Sequence, residues 1–314
     1  MEHILNKIKE FETIIIHGHI RPDGDSIGSQ YGLMYLIKAS FPEKNVYVTG
    51  ESSDYVSFIG KPNLIDENLF SKALSICVDT PVIKRLGDKR FDKSNYSIKI
   101  DHHLKEEKYA DYEYIDENAA SCSEIIVDFF MKNISELVMT KKCAEALLVG
   151  MMTDTGNFRY DKVNSKTFLC ASTLMNYGVD LNYINNNLSS ERLELLKLKG
   201  YCLSNFKISE YGFAYIILDK KTINEYNVSD EEASSLVYLF STIKDVPAWA
   251  MIIENDEEIR IRLRSKGPNI NELAKKYNGG GHEKASGAKL NNWDELDDFI
   301  SQANKLVYKY KKTK

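Results

Sequence analysis

Four groups of acids and histidines punctuate the first half of the chain: His19, Asp23 and Asp25 in one short loop, then Asp79, then Asp101-His102-His103, then Asp154. Each closes an apolar run that reads as a strand or a buried helix. Asp23, Asp25, Asp79 and Asp154 would bring four negative charges into a small volume, where neighbouring carboxylates repel strongly or take up protons. Two divalent cations cancel that charge, and neutral histidines add ligands without adding charge. Oxygen and imidazole donors suit Mn²⁺, with Mg²⁺ or Co²⁺ as compatible substitutes, better than the sulfur-rich surroundings of structural zinc. A pair of ions sharing one aspartate activates water and braces the attacking and leaving oxygens of an in-line phosphoryl displacement. The chemistry expected of the set is two-metal phosphoester hydrolysis.

Taken singly, the groups carry less. Pro22 breaks regular structure and Gly24 permits a tight turn, so Asp25 or Ser26 is an ordinary helix N-cap. Asp154, within Thr153-Asp154-Thr155-Gly156, is an ordinary turn residue. His17 and His19 share one face of a strand, and either can ligate on that argument. The spacing to the loop favours His19 and leaves His17 as a packing or supporting histidine.

The elements that must position these residues alternate in type. Strands are expected over 13–16, 45–49, 73–78 and 96–100, with helices over 26–38, 121–132 and 141–152. Short apolar strands separated by helices predict a parallel sheet covered by helices on both faces. In such sheets ligands sit beyond the carboxyl ends of the strands, which is where His19, Asp79 and Asp101–His103 fall. Helical patterns continue over 165–177 and 182–206. After them come strands over 213–218, 248–254 and 258–264, and helices over 230–240, 271–277 and 294–310. The expected architecture is α/β throughout: a parallel-sheet domain over 1–190, a linker helix over 191–207, and a smaller α/β domain over 208–314.

Composition excludes several classes of function. The chain has 314 residues, 43% hydrophobic and 28% charged, with 46 acidic against 41 basic residues and a net charge of −5. A protein that grips long duplex nucleic acid carries a basic surplus, so short phosphorylated substrates fit better. The basic tail (Lys305, Lys309, Lys311, Lys312, Lys314) reads as a solvated end. No apolar run reaches the length of a membrane span. Five scattered cysteines, none spaced as CxxC, read as reduced, mostly buried thiols of a cytoplasmic protein.

The four motifs, with Asp101-His102-His103 as the signature, resemble the DHH phosphoesterase superfamily. Arg262-Leu263-Arg264-Ser265 and Gly279-Gly280-Gly281-His282, followed by Ala285-Ser286-Gly287, resemble its companion DHHA1 domain. The resemblance runs from about Thr13 to Leu290 and is greatest to the bifunctional oligoribonuclease and pAp phosphatase group, which includes enzymes that split pApA. It implies that His19, Asp23 and Asp79 hold one metal, and that Asp25, Asp79, His102 and Asp154 hold the other, with Asp79 bridging. Asp101 would orient a neighbouring histidine, and His103 would contact the phosphate and protonate the leaving group. Arg159, Arg264, Ser265, Gly280, Gly281 and His282 would bind substrate, in a cleft between the domains. Backbone N–H groups of successive glycines can approach an anion closely, and arginine offers a bidentate fork.

The resemblance implies two Mn²⁺ ions, with short RNA, pApA and pAp as substrates. A homodimer is compatible with the sequence. Two other classes of function are a nucleotide-sensing module, which would bind without turnover, and an exopolyphosphatase, which nucleotides would not inhibit. The superfamily's pyrophosphatases lack the glycine-rich loop, which argues against pyrophosphate as substrate.

Overall fold

The computed structural model describes residues 1–256 and 258–313. The chain divides into two compact units, Met1–Ser190 and Glu191–Lys314.

The first unit holds a five-stranded sheet in the order β2-β1-β3-β4-β5, from β1 (Thr13–His17), β2 (Asn45–Thr49), β3 (Leu74–Val78), β4 (Tyr96–Asp101) and β5 (Tyr112–Ile115). Every pairing is parallel. The central strand β3 is buried at all five residues, as a parallel strand covered on both faces must be. Ile14, Ile16, Ile76, Val78, Ile98 and Ile100 face one core, shared with α1 (Glu2–Glu10), α2 (Gly24–Ser40), α4 (Cys122–Lys132) and α5 (Lys141–Asp154). The opposite face is covered more thinly. Ile15 packs with Phe70 of the one-turn helix α3 (Glu67–Phe70), and Cys77 packs with Leu86 and Phe91. Two further helices, α6 (Ser165–Met175) and α7 (Leu181–Ser189), complete the unit.

Close approach of α2 and α5 sets the position of the metal-site candidates, and three glycines one turn apart permit it. A Cβ on Gly24 would lie 2.3 Å from Thr153 Oγ1, one on Gly28 2.6 Å from the Ala146 carbonyl, and one on Gly32 2.3 Å from Leu147.

In the second unit, α8 (Leu193–Asn205) precedes a six-stranded mixed sheet in the order β10-β11-β9-β8-β7-β6. Its strands are β6 (Lys207–Ile208), β7 (Phe213–Leu218), β8 (Ala248–Glu254), β9 (Ile259–Ser265), β10 (Gly280–His282) and β11 (Ala285–Leu290). Among the described residues only β7 and β8 pair in parallel there. Helices α9 (Lys220–Tyr226) and α10 (Asp230–Ser235), with a 3₁₀ segment Leu236–Thr242, lie between β7 and β8. Helices α11 (Asn271–Lys276) and α12 (Leu296–Lys312) follow in chain order, and Phe299, Ala303 and Val307 of α12 enter a core with Ile261 and Leu263.

The structure departs from the sequence expectations at several points. The helical run over 182–206 is two helices, α7 and α8, broken at 190–192. The stretch 191–207, read as a linker helix, contains α8, whose Leu198 and Cys202 are buried in a core with Ile216 and Trp249 of the second unit. The glycine-rich loop is largely the short edge strand β10, with Gly280 opposite Gly287 and His282 opposite Ala285. Among the described residues no helix is long and apolar enough to cross a membrane, and all five cysteines are free and buried.

Candidate metal centre

The loop after β1 is held from both sides. The Ile20 amide donates to the Arg85 carbonyl at 2.6 Å, and the Arg21 amide, on a residue with φ of 52°, donates to Glu51 Oε2 at 2.7 Å. Asp23, rather than Asp25 or Ser26, caps α2, accepting from both the Asp25 and Ser26 amides at 3.0 Å. Asp25 is thereby released for another task. It sits buried in the first turn of α2, and its carboxylate accepts from the Cys122 amide at 2.6 Å and the Ser123 amide at 3.0 Å. Those are the first N–H groups of α4, the end of a helix that attracts anions.

Asp79 lies one residue past β3 in the left-handed region, at φ 52°, which a non-glycine residue adopts rarely and mostly where the surroundings force it. Its two oxygens face different partners. Oδ2 is 3.5 Å from His19 Nε2, while Oδ1 is 3.4 Å from His102 Nε2 and 3.6 Å from His103 Nδ1. Oδ1 is buried and has no hydrogen-bond partner. Asp23 Oδ2 is 3.7 Å from His19 Nε2, and Asp154 Oδ2 is 3.4 Å from His102 Nε2. Three groups of donor atoms converge within 4.8 Å: His19 with Asp23 and Asp79; Asp25 with His102 and Asp154; Asp79 with His102 and His103.

The donor set fits a pair of divalent cations. His19 Nδ1 lies 2.8 Å from the Ile20 carbonyl and His102 Nδ1 3.4 Å from the Ala119 carbonyl. A proton on each Nδ1, assigned from these contacts, leaves each Nε2 lone pair for a metal. Burial and the charges of Asp79 and Asp154 push the Asp25 carboxyl well up. Burial opposes a charge on His19, yet the Asp23 and Asp79 carboxylates raise its imidazole to about 10. His102 is likewise raised against burial by Asp79 and Asp25. The groups thus share protons where cations would otherwise balance the carboxylates.

Asp101 stands behind this cluster. Its Oδ1 accepts from the His102 amide at 2.8 Å, the His103 amide at 3.2 Å and His103 Nδ1 at 2.8 Å. Burial would raise the Asp101 carboxyl, but the His103 hydrogen bond and charge hold it below the usual carboxylate range. Sequence reasoning missed Lys99, which is fully buried with Nζ 3.5 Å from Asp101 Oδ2. The available signal was a lysine set directly between two isoleucines, Ile98 and Ile100, in a strand expected to be buried. His17 is also fully buried, bonded through Nε2 to Ser75 Oγ at 3.0 Å, and joins none of the three donor groups.

The residues expected to bind substrate belong to both units, Arg159 to the first and the rest to the second. Arg159 is exposed, its Nε donating to the Gly156 carbonyl at 2.7 Å, in a loop where Gly156, Asn157 and Phe158 are successively left-handed. In the second unit Arg264 is half-buried on β9. Its Nη1 donates to the Leu263 carbonyl at 2.8 Å, and burial with Arg262 beside it lowers the guanidinium pKa. Ser265 is buried, its hydroxyl bonded to the Pro268 carbonyl at 2.6 Å. On β10, Gly280 has open space where a side chain would stand, Gly281 has φ 133°, and His282 is exposed.

A parallel sheet with this acid-and-histidine cluster at its carboxyl edge defines a family of known folds. Residues 13–151 match the model of the DHH family, N-terminal domain, residues 211–309 match that of the DHHA1 domain, and the chain belongs to the DHH family. It is 40% identical to the "Probable bifunctional oligoribonuclease and PAP phosphatase NrnA" of Streptococcus mutans, over 97% of this chain and 98% of that protein. It is 36% identical to the "Bifunctional oligoribonuclease and PAP phosphatase NrnA" of Bacillus subtilis, over 96% and 97% of the two chains. Among solved structures, an exopolyphosphatase-related protein from Bacteroides fragilis superposes with a TM-score of 0.82 at 29% identity, covering 99% of this chain and 96% of that one.

Proposed function

We infer that this protein is a Mn²⁺-dependent phosphoesterase that releases mononucleotides from very short 5′-phosphorylated RNAs, pApA included, and removes a phosphate from pAp. The observation that carries the reading is Asp79, whose two oxygens face His19 on one side and His102 on the other. His19, Asp23 and Asp79 would hold one ion, and Asp25, Asp79, His102 and Asp154 the second. When bound, such a pair supplies Lewis-acid activation of water and screens charge on the phosphoryl oxygens.

The chain's own residues do the rest. His19 and His102 are fixed in one tautomer by the Ile20 and Ala119 carbonyls. Asp25 is anchored by the α4 amides and cannot swing out of the cluster. Asp101 holds His103 through Nδ1–H, so that the ring in its doubly protonated, imidazolium form would give its Nε2 proton to the departing oxygen and keep the one on Nδ1. Arg159, Arg264, Gly280, Gly281 and His282 would bind the phosphate and nucleotide, with Ser265 ordering the strand end beside Arg264. The names of the relatives support the short-RNA and pAp substrates, and the five unpaired buried thiols suit the cytoplasm.

The test is hydrolysis of pAp and of 5′-phosphorylated RNAs, from dinucleotides to oligomers of roughly two dozen residues, with Mn²⁺ and with chelator. AMP release should require Mn²⁺, fade with length and vanish in Asp79→Ala. Bound Mn²⁺ without turnover of any of these substrates would overturn the reading.

A further inference from the structure

The strand that ends on Asp101 carries a lysine in its interior. Lys99 is fully buried, a position lysine almost never takes unpaired. Its Nζ donates to the Pro81 carbonyl at 2.7 Å, lies 3.5 Å from Asp101 Oδ2 and stands 4.7 Å from the centroid of the Tyr109 ring. That ring is itself fixed, because the Tyr109 hydroxyl donates to the Thr80 carbonyl at 2.5 Å. Thr80 and Pro81 directly follow Asp79, so the ammonium touches two of the segments that shape the centre, the one after β3 and the end of β4.

The two oxygens of Asp101 are treated differently. Oδ2 is buried, has no hydrogen-bond partner and faces the Lys99 charge. Oδ1 gathers three donors: the amides of His102 and His103 and the Nδ1 of His103. Without that cation, only the three donors on Oδ1 would hold the carboxylate, and its charge would be freer to shift toward the unpartnered Oδ2. Asp79 Oδ1, 3.6 Å from the same Nδ1, would then compete for His103.

We propose that Lys99 is a positioning residue for the hydrolysis: its ammonium pins Asp101 Oδ2 inward, commits Oδ1 to the His103 Nδ1–H, and so makes His103 present Nε2 to the leaving oxygen. The inference rests on the role given to His103 above. It differs from a structural role for Lys99, which would serve only to neutralise a buried aspartate.

The experiment pairs kinetics with NMR on the full chain and the variant Lys99→Met. Long-range proton–nitrogen correlations on the wild type should show His103 carrying its proton on Nδ1. In Lys99→Met that Nδ1–H signal should shift or disappear. The variant should melt lower, since Asp101 loses its counter-charge, so rates are read well below its midpoint. There kcat should fall roughly 10- to 100-fold, the usual effect of losing a partner that orients a functional histidine. KM for a dinucleotide and Mn²⁺ affinity by calorimetry should stay at wild-type values. An unchanged kcat, or a loss shared by kcat, KM and Mn²⁺ affinity with the His103 signal unmoved, overturns the proposal. If Lys99→Met does not fold, the wild-type spectrum decides, and a His103 protonated on Nε2 with Nδ1 bare overturns it. A wild type that cleaves no short RNA sinks the substrate reading instead, because the tautomer is read without substrate.

Discussion

Asp79 joins the two candidate ion sites in one carboxylate, and its environment predicts two effects of replacing it. Asp79→Asn keeps the shape but removes the charge that two histidines share. Turnover should fall by on the order of 10³-fold, the scale of losing several kcal/mol of charge stabilisation. Thermal melting should show the complement: Mn²⁺ raises the wild-type midpoint by mass action on the folded state, and raises that of Asp79→Asn far less. Equal shifts in both would place the cation elsewhere. A second residue, Asp88, tests electrostatics away from the centre. Burial would raise its carboxyl, but Arg90 at 2.7 Å and the Thr49 hydroxyl at 2.6 Å hold it well below the usual carboxylate range. A depressed folded value gives stability that is present above the unfolded carboxylate's pKa and is lost as pH falls toward the folded one. Asp88→Asn should therefore cost roughly 1–2 kcal/mol at neutral pH, and the gap to wild type should narrow progressively in acid.

At the scale of elements, two helical glycines predict opposite outcomes for the same substitution. Gly28→Ala gains about 1 kcal/mol of intrinsic helix propensity. Its new methyl would meet the Ala146 carbonyl at 2.6 Å and the Gly150 backbone within 2.9 Å, atoms that cannot step aside. Overpacking of about 1–3 kcal/mol should win, lowering the midpoint and weakening Mn²⁺ binding, because α2 carries Asp25 and α5 carries Asp154. Gly200, on α8, has nothing within 4 Å of the added methyl. Gly200→Ala should stabilise by about 0.5–1 kcal/mol and leave Mn²⁺ affinity alone. The elements also show what the sequence could and could not disclose. Strands β1 to β4 were legible because their interiors are mostly apolar and histidines or acids mark the ends of β1, β3 and β4. Strand β5, Tyr-Glu-Tyr-Ile, was not, being half-buried along its length. Strand β10 was hidden because consecutive glycines read as a turn, whereas here the antiparallel ladder with β11 overrides local preference. The division of labour between Asp23 and Asp25 was equally hidden: it depends on α4 arriving from about a hundred residues away, which spacing within the loop cannot reveal.

Across the whole molecule, the metal-binding candidates all fall in the first unit and the arginine-bearing strand β9 in the second. Adding Mn²⁺ should slow amide hydrogen exchange most at the loop after β1, the tip of β3 and the first turn of α4. Strands β8 and β9 should change little, and uniform protection over both units would contradict the assignment of the ligands. The buried thiols offer one more consequence. Cys77, Cys122, Cys143 and Cys170 lie in the first unit and Cys202 in the second, and burial pushes Cys77, Cys170 and Cys202 up to about 12. None can meet an alkylating reagent until its surroundings open. The chain therefore carries its own set of clocks, four in one unit and one in the other, and the order in which they stop under mild denaturant records which half of the protein comes apart first.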